Sequence, residues 1–140
     1  MPVRPPPDLA RMRLLTDLPN ESLWRGDIIR LVHNYDLGPG SEPVDLMIYD
    51  PRDETTGLGL MVVSGYKAGL TLSIFPIESC KVGQRSLETA WLIENWNQWF
   101  CYTYHTGAAG MLLPVPIAGT LVLDWTEREI IISNADSRPA

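Results

Sequence analysis

The fold of this chain is decided by residues 59–75, which read GLMVVSGYKAGLTLSIF. The first five residues are apolar, and the last six alternate two sets of side chains, Leu70, Leu72 and Ile74 against Thr71, Ser73 and Phe75. A period of two is the pattern of a strand with one buried face. Gly65 and Gly69 allow positive φ at both ends of a tight connection. The stretch therefore predicts an antiparallel hairpin with Tyr66 and Lys67 at its tip.

A tryptophan-rich segment follows the hairpin and predicts one principal helix from Ser86 to Phe100. Ser86 is a good N-cap, and Glu88 in the first turn suits the positive end of the helix dipole. We expect one wide apolar stripe to lie across the sheet, formed by Leu92, Ile93, Trp96, Trp99 and Phe100. Trp91 is on a different face of this helix. It either packs under the C-terminal loop or is exposed as a contact residue.

Four further segments predict strands, namely Asp27–His33, Val44–Tyr49, Thr120–Leu123 and Glu129–Ser133. Turn-forming residues at 36–41 and 50–57 lie on either side of the second of these strands. The segments together predict an α+β fold, in which a mainly antiparallel sheet packs against one principal helix.

The predicted domain organisation is simple. Residues 1–21 form a flexible N-terminal arm that contains four early prolines and can include a short helix at Asp8–Leu15. Residues 22–133 form a single α+β domain, and residues 134–140 form a frayed tail.

Composition and charge exclude several classes of function. The 140 residues include 11 basic and 17 acidic side chains, for a net charge of −6, whereas nucleic-acid binding needs a basic face. Residues 95–123 carry no Asp, Glu, Lys or Arg, but prolines and glycines interrupt them, so no membrane span is expected. Residues 1–7 lack the apolar core of a secretory signal. We expect a cytoplasmic protein without nucleic-acid or membrane contacts.

The residue types that most often carry chemistry are sparse. The two histidines (His33 and His105) and the two cysteines (Cys80 and Cys101) have neither paired metal-ligand spacing nor a dense catalytic pattern. The carboxylates at 50–54 lack the spacing of a calcium-binding loop. The expectation is a protein without enzymatic activity, metal or cofactor.

Five segments carry a resemblance to a known family. They are Leu23–Asp27, Val44–Asp50, Gly59–Leu70, Pro76–Ser79 and Trp91–Trp99. The runs Ser-Gly-Tyr-Lys-Ala-Gly-Leu and Trp-Leu-Ile-x-Asn-Trp-x-x-Trp within them are specific when they occur together. The pattern is similar to that of immunity-protein family 45, small bacterial proteins predicted to neutralise a polymorphic secreted toxin encoded beside them. The resemblance covers Ser22 to Phe100, implies stoichiometric blocking of a cognate toxin, and transfers no catalytic residue.

Acidic residues cluster between positions 36 and 54, where one basic residue, Arg52, accompanies six carboxylates: Asp36, Glu42, Asp45, Asp50, Asp53 and Glu54. Clustered charge is usually a solvated face, but in an inhibitor of a basic toxin it would steer association. We expect toxin contacts at Asp50, Asp53 and Glu54, with Asp36 and Glu42 contributing from the opposite edge.

The hairpin tip and the predicted helix supply the remaining candidate contacts. Lys67 and Trp91 are candidates, and Tyr66 either contacts the toxin or folds back over its own hairpin. An alternative function is a small-molecule-binding or enzymatic domain with a pocket between Trp91, His105 and the loop Gly107–Gly119. A third is an assembly subunit. The sequence leaves the oligomeric state open.

Overall fold

The computed structural model describes residues 12–33, 35, 43–65, 67–106 and 109–123. The elements follow one another as β1 (Arg13–Leu14), a 3₁₀ turn (Leu15–Asp17), β2 (Ser22–Leu23), β3 (Ile28–Leu31), β4 (Val44–Tyr49), β5 (Thr56–Val62), β6 (Thr71–Pro76), a second 3₁₀ turn (Ile77–Ser79), β7 (Leu87–Glu88), α1 (Thr89–Glu94), α2 (Trp96–Trp99), β8 (Cys101–Thr106), β9 (Ala109–Pro114) and β10 (Leu121–Leu123). The turn predicted at 36–41, the strand predicted at Glu129–Ser133 and the tail predicted at 134–140 lie outside the described residues. So does the first half of the helix predicted at Asp8–Leu15, whereas its described second half contains strand β1 and the first residue of a 3₁₀ turn.

A six-stranded antiparallel sheet organises the chain, with the strand order β1-β10-β3-β4-β5-β6. Strands β3 to β6 form an up-and-down meander, in which each strand pairs with the next one along the chain. The mainly antiparallel sheet predicted from the sequence is therefore confirmed, and so is the hairpin of β5 and β6.

Two small ribbons complete the described part of the chain. Strand β2 pairs with β7, and β8 pairs with β9. The second ribbon occupies part of the segment predicted to be a loop from Gly107 to Gly119, because Ala109–Pro114 is a strand that pairs with residues 101–106. The sequence prediction missed this hairpin.

One face of the sheet is buried beneath the helices and forms the core. The alternating burial along β4 follows the predicted period of two. Two leucines from the predicted N-terminal arm, Leu15 and Leu18, also belong to this core. Its sheet residues are Ile29, Leu31, Val44, Leu46, Ile48, Leu58, Leu60, Val62, Phe75 and Val122, and the helical segment adds Leu92, Trp96 and Phe100.

The single principal helix predicted from Ser86 to Phe100 is wrong. The described residues contain no helix of seven or more residues, because the segment is divided into α1 and α2. Leu87 and Glu88 are held extended by pairing with β2, so the helix begins at Thr89 and Ser86 is a buried residue without a capping role. At Asn95 the backbone N–H and the side-chain amide both donate to the carbonyl of Trp91, at 3.0 and 2.9 Å, and the backbone leaves the helical conformation with φ −104° and ψ 11°.

The N-terminal segment is attached to α1 by the buried hydroxyl of Thr89. This hydroxyl donates to the carbonyl of Leu18 and accepts from the N–H of Glu21 at 3.0 Å. The Thr89 N–H also donates to the Glu21 carbonyl at 3.0 Å. Because a buried hydroxyl needs partners, these bonds fix the point at which the extended chain turns into helix.

The residues of β6 that are buried are not the ones that the alternating sequence pattern predicts. Leu70, Leu72 and Ile74 are exposed, whereas Phe75 is fully buried. The reason is a register shift between Leu60 and Met61, which places Ser73 opposite the buried Leu60 and Ile74 opposite Gly59. Ile74 therefore faces away from the main core, whereas Leu72 lines a cavity together with the core residues Leu46 and Leu60.

Trp96 ties the helical segment to the chain that follows β9. Its indole N–H donates to the Val115 carbonyl at 2.7 Å, and its ring stacks on Phe100 with centroids 3.7 Å apart. Trp96 is buried as predicted, while Trp99 is partly buried against the core.

We predict that Trp96→Ala lowers the free energy of unfolding by about 3–5 kcal/mol, because it removes a large buried ring and leaves a cavity. Trp96→Phe keeps an apolar ring but leaves the Val115 carbonyl unpaired, and should cost about 1–3 kcal/mol. Urea denaturation measures both changes. The matched control is Trp24→Ala at an exposed tryptophan, and an equal loss in that variant would contradict the prediction.

Candidate functional site: a surface at one end of the sheet

Two neighbouring segments form a surface at one end of the sheet. The acidic turn (Asp50–Glu54) joins β4 to β5, and the Val82 loop (Ile77–Arg85) leaves the far end of β6. Because β5 and β6 are antiparallel, β6 ends beside the start of β5, where Thr56 opposes Pro76. The topology therefore brings the acidic turn and the Val82 loop together.

Arg85 is the side chain that joins these two segments. Its Nη2 donates to Asp50 Oδ1 at 2.8 Å, and its Nη1 donates to the Thr56 carbonyl at 2.6 Å. The hydrogen bond from Arg85 is the main reason that the pKa of Asp50 lies below its ordinary value, with a further contribution from the N–H of Arg52. One of the predicted contact carboxylates is thus already paired within the protein.

The acidic turn is held by its own side chains. Asp50 Oδ1 accepts from the Arg52 N–H at 2.8 Å, and Asp53 Oδ1 accepts from the hydroxyl and the N–H of Thr55 at 2.6 and 2.9 Å. These two bonds from Thr55 lower the pKa of Asp53, so its carboxylate stays ionised. Arg52 has a φ of 59°, an unfavourable conformation for a residue with a side chain. These hydrogen bonds fix the shape of the turn.

Val82 is the most exposed apolar side chain of this surface, at 97 % of its full exposure. The N–H of Gln84 donates to the Lys81 carbonyl at 2.9 Å, and Gly83 has a φ of 78°. These are the features of a type II turn, in which glycine takes the position of positive φ. The turn holds a β-branched apolar side chain in water, where it is available to a partner.

An open groove of about 670 Å³ runs along this surface. Glu54 and the exposed Ile77 and Glu78 line it together with Val82 and Arg85. The two segments carry four carboxylates and three basic side chains, so the surface is only slightly acidic. Its mixture of apolar and charged groups suits a protein partner, since interfaces combine a hydrophobic centre with a polar rim.

Two of the other predicted contact residues, Lys67 and Trp91, are not part of this surface. Lys67 lies in the hairpin tip, which the meander places at the opposite end of the sheet, and it is half-buried. Trp91 is also half-buried and packs on Phe75 and Trp99, at ring-centroid distances of 5.7 and 5.9 Å. Asp36, Glu42 and Tyr66 lie outside the described residues.

Sequence reasoning missed Arg85, Val82 and Ile77 as members of this surface. A signal for Val82 was present, since Lys-Val-Gly-Gln carries glycine where a type II turn requires it. No signal pointed to Arg85, because its partner Asp50 is 35 residues away in the sequence.

A second, smaller cavity of about 300 Å³ lies between the sheet and β8. Leu46, Leu60, Trp99 and Tyr102 are among its lining residues. The pocket predicted near Trp91, His105 and Gly107–Gly119 stays a prediction, because Gly107 and the side chain of His105 are not described.

Two features are absent from the described part of the chain, a cluster of metal ligands and a helix that could cross a membrane. Among residues 12–33, 35, 43–65, 67–106 and 109–123, no cluster of three or more His, Cys, Asp or Glu side chains could hold a metal ion. In the same part of the chain, no helix has the length and apolar character that a membrane crossing requires.

Comparison with known proteins gives one match. The family model described as Immunity protein 45 matches residues 15–112, which include the acidic turn, the Val82 loop and both helices. The match extends beyond the Ser22–Phe100 segment of the sequence resemblance at both ends. No curated protein and no solved structure matches the chain.

We predict that Arg85→Met lowers the free energy of unfolding by about 1 kcal/mol at neutral pH, since the ion pair is partly exposed. The pKa of Asp50 is depressed in the folded state, so the charge-dependent stabilisation is complete above the ordinary value of 3.8 and is lost as the pH falls through the lower folded value. The difference in the free energy of unfolding between wild type and Arg85→Met should therefore decrease in acid. Urea denaturation at several pH values measures it.

Asp50→Asn is the matched control for Arg85→Met, because it removes the charge and leaves Arg85 able to bond the Thr56 carbonyl. A stability difference for Arg85→Met that has the same size at neutral pH and well below pH 3.8 would show that the ion pair contributes nothing.

Proposed function

This chain belongs to the Immunity protein 45 family, and we propose that it binds a cognate bacterial toxin in the cytoplasm and neutralises it by stoichiometric blocking. The family match over residues 15–112 is the observation that carries this proposal. Membership suggests toxin neutralisation in general. The proposal adds the manner of blocking, the compartment and the surface that makes contact.

The proposed contact surface is formed by the acidic turn and the Val82 loop. Val82 and Ile77 supply exposed apolar area for the centre of the contact. Asp53 and Glu54 are exposed carboxylates that form no ion pair within the described ranges, so their charges are available to a basic partner. Because Arg85 and the Thr55 bonds hold both segments in place, little ordering entropy is lost when the toxin binds.

A basic toxin is the partner that the charge of this chain favours. The net charge of −6 attracts a positively charged protein over a distance of about one Debye length, which is roughly 8 Å at physiological salt. Asp53 and Glu54 would add a local contribution to that field. Blocking of this kind needs a complementary surface and no reaction, so the proposed mechanism uses neither a metal nor a cofactor.

The proposal is tested with the toxin domain encoded beside the gene for this chain. Co-expression of the chain should rescue growth of cells that produce the toxin domain. In vitro, titration of the purified toxin should abolish its activity at one chain per toxin. Continued toxin activity at saturating excess, without a detectable complex, would refute it.

We predict that Asp53→Asn combined with Glu54→Lys slows association with a basic toxin by roughly tenfold at low salt and flattens its salt dependence. Asn keeps a side-chain acceptor for the Thr55 N–H, so the turn should survive the change. Stopped-flow association rates at several salt concentrations measure the effect. Glu94→Lys is the control, a charge reversal at an exposed residue of α1, and an equal effect there would assign the steering to net charge alone.

We predict that Val82→Asp weakens toxin binding by about tenfold to a hundredfold, mainly through faster dissociation. The reason is that burying a valine contributes about 1.5–3 kcal/mol, which the variant loses. Surface plasmon resonance separates the two rates. Val63→Asp is the matched control, since Val63 is an exposed valine beside the hairpin tip at the other end of the sheet. Unchanged affinity of Val82→Asp would exclude the Val82 loop from the interface.

A further inference from the structure

Strand β6 is an uncovered edge of the main sheet in the part of the chain that the structure describes. It is the last strand in the order β1-β10-β3-β4-β5-β6, and it pairs only with β5 among the described strands. Three apolar side chains at this edge are substantially exposed, with Leu70 at 46 %, Leu72 at 38 % and Ile74 at 41 %. An exposed apolar edge strand offers both backbone groups and side chains to another strand.

This edge lacks the charges that proteins commonly use to prevent edge-to-edge pairing. Residues 68–77 read AGLTLSIFPI and contain no charged side chain. The only proline of this segment is Pro76, at the end of the strand. The pairing of β6 with β5 has two register shifts, but Ser73 and Ile74 between them are regularly paired. The opposite edge differs, because β1 has two residues and its Arg13 forms an ion pair with Glu21 at 3.0 Å.

The lack of charge also indicates which partner fits this edge. Two copies of a chain with a net charge of −6 repel each other, so they can meet at low cost only where neither copy carries charge. Residues 68–77 provide such a place. A basic partner, in contrast, gains nothing from an uncharged edge and is better matched by Asp53 and Glu54.

We infer that two copies of this chain associate through β6, paired antiparallel across a two-fold axis so that the two sheets become continuous. In this arrangement residues 71–75 of each copy face the same residues of the other, and no like charges lie opposite each other. Backbone hydrogen bonds between the strands supply the pairing, and the exposed leucines and Ile74 supply buried apolar area.

The arrangement leaves the Val82 loop of each copy available. Antiparallel pairing places the Pro76 end of one β6 beside the Thr71 end of the other, so the two Val82 loops lie at opposite ends of the strand pair. A six-residue strand spans about 20 Å, and the dimer can therefore bind one toxin on each copy. The inference does not depend on the proposed function, because it rests on β6 alone.

Sedimentation equilibrium of the purified full chain tests the inference. The wild type should approach twice the 15.7 kDa of one chain as its concentration rises. Ile74→Lys and Thr71→Lys each place a charge on the edge at an exposed position, and each should weaken the dimer by roughly tenfold or more. Circular dichroism is used to check that each variant is folded. If Ile74→Lys does not fold, Thr71→Lys tests the inference.

Val82→Lys is the matched control, because it makes the same change of net charge at an exposed apolar residue away from the edge. It should dimerise as the wild type does. Amide hydrogen exchange gives an independent measurement, in which β6 amides gain protection as the chain concentration rises and the Gln84 amide does not.

The outcomes separate this inference from the proposed function. A wild type that stays monomeric, or Lys variants that dimerise unchanged, would overturn the inference while leaving toxin binding unaffected. A monomeric wild type whose toxin binding is lost in Ile74→Lys would also overturn it and would assign the β6 edge to the toxin. Dimerisation lost in Ile74→Lys with toxin binding intact supports it.

Discussion

The described structure depends on the need to cover one face of an antiparallel sheet with a short helical segment. Neither α1 nor α2 is long enough to be stable alone, since isolated helices of this length are not populated in water. Trp96 stabilises the helical segment through two contacts. Its indole N–H donates a hydrogen bond to the Val115 carbonyl, and its ring stacks on Phe100. The hydrogen bond connects α2 to the chain beyond β9. The stack adds the ring of Phe100 to the aromatic side chains that pack on the sheet. The leucines of β4 and β5 are buried as a result.

The helical segment covers the sheet, whereas the surfaces that we propose for partners lie at one end and one edge of the sheet. Trp91, the aromatic residue of this segment that the sequence offered as a possible contact, packs on Phe75 and Trp99. The exposed apolar groups lie instead at Val82 and along β6. These are places where the backbone is fixed by a turn or by pairing with β5, so a partner meets a shaped surface.

In the acidic turn, an ion pair within the chain lowers the negative charge that the sequence alone indicates. Six carboxylates against one arginine indicate a strongly negative surface when residues 36–54 are considered alone. Arg85 then neutralises Asp50, and Lys81 and Arg52 lie in the same pair of segments. Of the carboxylates in the acidic turn and the Val82 loop, Asp53, Glu54 and Glu78 form no ion pair in the part of the chain that the structure describes. In the complex that we propose, electrostatic attraction of a basic toxin would therefore rely on the net charge of the chain as well as on this turn, and affinity would rely on the apolar contact of Val82.

The sequence by itself determined the features that depend on neighbours within a few residues. The bounds of β4, the β5–β6 hairpin and the turn between β4 and β5 follow from period-two alternation and from the conformational preferences of Gly, Pro and Asp. Burial of Trp96 follows from apolar spacing. The family also follows from the sequence, because its motifs are local runs of residues.

Tertiary structure decided the features that depend on distant pairs. Pairing of β2 with β7 converted the start of the predicted helix into a strand, and the register shift of β6 placed Ser73 opposite Leu60 and turned Ile74 outwards. The ion pair of Arg85 with Asp50 created the proposed contact surface across 35 residues of sequence. No local pattern encodes these outcomes, because each is set by competition between whole strands for hydrogen bonds and for the one face of the sheet that the helices bury.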